Sequence, residues 1–167
     1  SEGFLESTIH ASQQTYLELS DLHFELEQVL IEWRSAFDST YSAIQHLIGS
    51  LETNASVYAI GLQGEEISTD VDLDYWTHGR YNQLLDQCRQ LSGYMIQDQD
   101  CLSLDDINRI YEQILPVIRD SFETIVYDAR LNALNSQLRM NIAEQALQAL
   151  ELHGFKLEDA GYSEKDM

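Results

Sequence analysis

Apolar residues recur every three or four positions through the first third of the chain. Leu5, Ile9, Ser12, Tyr16, Leu19, His23, Leu26, Leu30, Trp33, Phe37, Thr40, Ile44, Leu47 and Leu51 alternate spacings of four and three without a break, and all but Ser12, His23 and Thr40 are Leu, Ile or aromatic. This is the a/d pattern of a coiled coil. Only Gly49 and no proline interrupts it, so the pattern predicts one long helix over about 4–55, about 70 Å from end to end at 1.5 Å per residue. The stripe is wider than a two-stranded seam requires. Leu22, Val29, Ala36 and Ala43 precede the a positions, and Tyr41 and Ile48 flank the other side. A face this broad suits packing against two neighbours.

A second long helix is predicted over about 103–153. Ser103-Leu-Asp-Asp106 reads as a capping box with Asp in place of Glu. Its apolar set runs Ile107, Tyr111, Ile114, Ile118, Phe122, Ile125 and Ala129, then Leu131, Leu134, Leu138, Ile142, Ala146 and Ala149, with Gly154 as a stop. Pro116 lies inside this pattern, which predicts a kink near Gln113. The change of register at Ala129–Leu131 suggests a local change of winding. Between the long helices, 56–97 reads as a loop and a shorter helix, whose face is Leu84, Cys88, Leu91 and Met95. Val57–Leu62 and Ile67–Tyr75, around Gln63-Gly64-Glu65-Glu66, have the alternative of a β-hairpin. The heptad can be carried on through Ala55, Tyr58 and Leu62, and helix followed by loop is the favoured reading.

Charge changes the picture more than composition does. Apolar residues are 44% and charged residues 23% of the 167, ordinary for a globular chain. Acids outnumber bases by 29 to 9, for a net charge of −20. That excludes ordinary phosphate-backbone binding, which needs clustered Lys and Arg, and disfavours an anionic membrane surface. No apolar run is long enough to span a bilayer, and no leader pattern opens the chain. The asymmetry lies in the first half: residues 1–79 hold 14 acids and only Arg34 as a base, against 15 acids and 8 bases over 80–167. Glu18, Asp21, Glu25 and Glu32 follow the helix face opposite the stripe. Such a row ordinarily solvates a helix, and it can also imitate a row of phosphates.

The candidate chemistry is sparse. Asp70, Asp72 and Asp74 resemble the start of a calcium loop, but Tyr75 stands where the loop needs Gly and Tyr81 where it needs Glu. A helix N-terminus that favours acids explains the run equally well. His23 sits at an a position with Glu27 one turn on, and Asp74 and His78 are one turn apart; neither pair has further ligands at metal spacing. A polar a residue also serves to fix register and partner number. Trp33, Phe37 and Tyr41 form a ladder at i, i+4 and i+8, a core feature by default and a partner anchor as the alternative. Cys88 and Cys101 lack zinc spacing and read as reduced thiols. No phosphate-binding loop, nucleophile elbow or metalloprotease motif is present, and the Glu-x-x-His pairs of di-metal bundles are missing.

The sequence therefore predicts an all-α fold: an elongated antiparallel helical bundle of two long helices plus a shorter one, with coiled-coil character and a tail at 154–167. Serine rather than Met at position 1, and the alternation of Phe155, Leu157 and Tyr162 near the end, suggest a segment of a larger protein. The expected function is a non-catalytic, cytoplasmic scaffold or oligomerisation module, with a protein partner or itself as partner and no metal or cofactor. Trp33, Phe37, Tyr41 and His23 are its candidate interaction stripe. The alternative is an acidic decoy for a basic nucleic-acid-binding protein, acting through Glu18, Asp21, Glu25 and Glu32. An unfamiliar carboxylate enzyme inside a bundle is the third and least supported reading.

Overall fold

The computed structural model describes residues 1–154; apart from Gly154, the tail and its apolar alternation lie outside the described residues. Helix dominates, as the periodicity predicts. The order is α1 (Glu2–Thr53), β1 (Ser56–Ile60), β2 (Glu66–Asp72), α2 (Leu73–Trp76), α3 (Arg80–Gln97), a single 3-10 turn (Gln99–Cys101), α4 (Leu104–Arg109), a π-helical turn (Ile110–Ile114) and α5 (Leu115–Leu152). The chain divides into two compact units. The first comprises Ser1–Thr53 and Leu84–Ser121, the second Asn54–Gln83 and the chain from Phe122 onward.

The first unit is built on the C-terminal part of α1. Phe37, Thr40, Ile44, Leu47 and Leu51 are buried, on the spacing of three, four, three and four that puts them on one helix face. They face a core to which α3 gives Leu84, Leu85, Cys88 and Met95, and the α4 region gives Leu102, Ile107, Ile110, Leu115 and Ile118. Polar ties fix α3 to α1: Gln45 Nε2 donates to Ser92 Oγ at 2.6 Å, and Arg89 pairs with Glu52 at 2.8 Å. Ser103 opens α4 with a complete capping box, its hydroxyl accepting from the Asp106 amide while the Asp106 carboxylate accepts from the Ser103 amide. The Ser103 hydroxyl also donates to that carboxylate at 2.6 Å. These bonds hold the Asp106 carboxyl below the ordinary carboxylate range.

Where the sequence predicts a kink before Pro116, the helix carries a π-helical turn. A proline inside a helix lacks one N–H and clashes with the carbonyl four residues back. Here the preceding turn widens, and the Leu115 amide reaches back five residues to the Ile110 carbonyl. The extra residue shifts the buried register: Ile107, Ile110, Leu115 and Ile118 are inside, whereas Tyr111 and Ile114 are exposed. Beyond the turn α5 continues unbroken from Leu115 to Leu152.

The second unit corrects the reading of 56–72. In place of a continued helix or a loop, β1 and β2 pair antiparallel, with Val57 opposite Val71 and Ile60 opposite Glu66. The register shifts after Tyr58, so that Ser68 and Thr69 have no partner across the ladder. The connection is closed by Gly61 donating to the Glu65 carbonyl at 2.8 Å and Gly64 donating to Gly61 at 3.1 Å. Gly64 has φ of 82°, which favours glycine, and a Cβ on Gly61 would collide with the Glu65 carboxylate. Local turn chemistry thus overrides the apolar phase carried through Tyr58 and Leu62.

Asp72 then caps the one-turn α2 by accepting from the Tyr75 amide at 2.8 Å. His78 and Gly79 are left-handed, with φ of 55° and 85°, and turn the chain into α3. Within this unit α5 buries Ile125, Ala129 and Ala133. Its Arg130 donates to the Tyr58 carbonyl at 2.8 Å and pairs with Glu66 at 3.0 Å. Arg80 pairs with Asp128 at 2.6 Å. No helix among the described residues is long and apolar enough to cross a membrane.

Candidate interaction surface

The most unusual surface is the N-terminal part of α1. Every residue from 1 to 32 is exposed, although the a/d repeat there is as regular as in the buried part. Phe4, Leu5, Ile9, Tyr16, Leu17, Leu19, Leu22, Phe24, Leu26, Val29, Leu30 and Ile31 are between 47% and 79% exposed. Scattered exposed apolar side chains are normal, whereas a contiguous uncovered stripe of this size is not. Side chains at a, d and g lie side by side because a helix repeats every 3.6 residues.

The four residues singled out for the stripe divide at the edge of this region. Trp33 and Phe37 stack with ring centroids 5.2 Å apart, and Phe37 and Tyr41 with centroids 6.2 Å apart. Phe37 is buried within the first unit. The Trp33 indole N–H donates to the Leu102 carbonyl at 2.8 Å, which anchors the base of the uncovered stretch to the loop before α4. Trp33 and Tyr41 are half-buried. His23 is exposed, and its Nε2 lies 3.3 Å from the Glu27 carboxylate. Glu18, Asp21, Glu25 and Glu32 are all exposed along the same stretch. The structure adds a column the heptad reading left out: Leu17, Phe24 and Ile31, seven residues apart at b positions and equally uncovered. Their seven-residue spacing is the signal that reveals them.

Two smaller features belong to single units. In the first, Leu91 and Tyr94 of α3 face Ile114, Val117 and Ile118 across an open apolar hollow of about 550 Å³. The wide turn before Pro116 places Ile114 there. In the second, Tyr75, Trp76, His78, Asn132, Asn135, Ser136 and Arg139 line an open hollow of about 520 Å³. Asn132 is held there by donating to the Trp76 carbonyl at 2.9 Å.

The acidic run at 70–74 does not converge. Asp70 lies in the hairpin opposite Tyr58, Asp72 caps α2, and Asp74 accepts from both the amide and the side chain of Asn82, at 2.9 and 2.8 Å. No group of three metal-ligating side chains occurs among the described residues. Both cysteines are free, Cys88 buried and Cys101 exposed, and burial pushes the Cys88 thiol pKa up. Compared with known proteins, the chain matches no family model, no curated protein and no solved structure.

Proposed function

We propose that this protein is a non-catalytic helical scaffold, an interaction module that docks through residues 4–31 of α1. One observation carries the reading: a regular apolar heptad stripe along this stretch that nothing in the described chain covers. Covering large apolar side chains is worth about 1.5–3 kcal/mol each when complete, so several at once supply the driving force for a helical partner. The coiled-coil character and the bundling expected from the sequence belong, in this reading, to the docked state. The covered part, from Phe37 to Leu51, serves as the mount that holds the stripe out.

The test is a photo-reactive amino acid introduced at Leu19 in cells. The expected outcome is a cross-linked adduct that is lost when Leu26→Glu is added, since a carboxylate in the seam cannot be desolvated cheaply. Absence of any adduct would overturn the reading. The acidic decoy rests on charge alone, because the carboxylates of its row share the helix with the uncovered apolar stripe.

A further inference from the structure

We propose that the uncovered stretch of α1 pairs antiparallel with the same stretch of a second copy, in the register where the numbers of facing residues sum to 35. This rests on the reading of that stretch as a docking face and adds the occupant.

Residues 1–32 are all exposed, and cover begins with half-buried Trp33. An antiparallel pair centred between Leu17 and Glu18 sets residues 4–31 of one copy level with residues 31–4 of the other, covering the uncovered apolar stripe on both.

The layers of the seam match in this register. Antiparallel helices set a positions against d positions. In this register Leu5 faces Leu30, Ile9 faces Leu26 and Tyr16 faces Leu19, each pair occurring twice by symmetry. The two polar residues of the stripe, Ser12 and His23, then face each other, hydroxyl against imidazole. A slip of one heptad either way destroys this match. One slip sets His23 against Leu5 and Ser12 against Tyr16; the other sets His23 against Leu19 and Ser12 against Leu30. A buried polar group without a partner is costly, so paired polar layers select register.

Direction follows from the flanks. In a parallel pair, g residues meet e residues, which puts Leu22 beside Glu27 and stacks His23 on His23. In the antiparallel pair, g meets g, so Leu22 and Val29 lie beside Thr15 and Thr8 and extend the apolar seam. Of the acids, Glu6 of each copy meets Glu27 of the other at the solvent-exposed e positions, a like-charge contact on the rim that the apolar layers must outweigh, while Glu18, Asp21, Glu25 and Glu32 lie at outward c and f positions. Area is sufficient as well. Eight large apolar side chains at a, d and g, each losing roughly 100 Å², approach the roughly 800 Å² per partner of a standard stable interface before any helix backbone or polar rim is counted.

Two single-cysteine probes test this in a Cys101→Ser background, with Cys88 left in its buried site: Ser12→Cys and His23→Cys, both at exposed positions of the isolated chain. The pairing predicts twice the 19.2 kDa chain mass by light scattering. It also predicts a disulfide only when the two probe proteins are mixed, and none when either is oxidised alone. A 12–12 or 23–23 disulfide would show a parallel pair and overturn the proposal. So would a dimer that fails to cross-link in the mixture, or a monomer at about 100 µM. An adduct of the Leu19 photo-probe with a different protein, together with a monomeric purified chain, would refute the self-pairing and leave the docking reading standing. No adduct at all would remove both.

Discussion

Residues 4–31 and 37–51 belong to one helix and carry one heptad phase, yet their surroundings are opposite. Ile44 is fully buried, whereas Leu19, on the same a/d stripe, is 61% exposed. Neither helix propensity nor apolar spacing changes between them. What changes is the supply of partners. Beside the second stretch the chain returns as α3, α4 and the π-helical turn, which bury Cys88, Met95, Ile107 and Ile110 in the same unit; none of the described residues buries the first. A heptad repeat therefore records that a face is to be covered, and it is silent on whether the cover comes from the same chain.

Paired truncations break this comparison most strongly. Ile44→Ala removes buried methylenes and leaves a cavity, and is expected to cost about 2–5 kcal/mol in chemical denaturation of the dilute chain. Leu19→Ala under the same conditions should change stability by no more than about 0.5 kcal/mol, because an exposed side chain in a monomer has no cavity to leave. Equal losses at the two sites would mean that the first stretch is covered by its own chain.

The same contrast explains what could be read from the residues. Both long helices were legible because their repeat is long, and the Ser103 cap because its partner Asp106 stands at the required spacing. The hairpin was not: Val57, Tyr58, Ala59 and Ile60 suit a strand and the continuing heptad alike, and the decision falls to Gly61, Gly64 and Glu65, whose closing bonds depend on the folded turn. Pro116 announced a disturbance, but the missing N–H alone does not say that the turn widens to five-residue bonding. The choice shows only in the buried register, where Ile110 is followed by Leu115 rather than Ile114. The division of α1 at Trp33 left no mark in the pattern, since it is set by residues some 70 positions further on, with Leu102 accepting from the indole.

A smaller effect sharpens the covered side. Ser103→Ala removes the cap that positions α4 against α1 and is expected to cost about 1 kcal/mol near neutral pH. The sign of its pH dependence follows from Asp106, whose folded pKa is lowered mainly by the Ser103 hydroxyl. Its contribution is complete above the ordinary carboxylate pKa and is lost as pH falls through the folded value. The stability gap between the parent and Ser103→Ala should therefore narrow on acidification. A gap that stays constant from neutral pH down to about pH 3 would show that the carboxylate is not part of the cap.

The least perturbing probe of the two regions uses thiols already in the first unit. Cys101 is exposed and Cys88 is buried with its thiol pKa raised by desolvation, so a thiolate-selective reagent has two reasons to spare Cys88: access and ionisation. One equivalent should label at once and the second only as the core around α3 opens. If that opening follows the global equilibrium, a loss of about 2 kcal/mol at Ile44 accelerates the slow phase by about 30-fold. Leu19→Ala should leave the rate unchanged in dilute solution, because nothing Leu19 touches has to open. Acceleration by both truncations would show that the uncovered stretch and the core yield together. Acceleration by Ile44→Ala alone would place the stability of this unit on the covered side of Trp33 and leave the stretch before it free for docking.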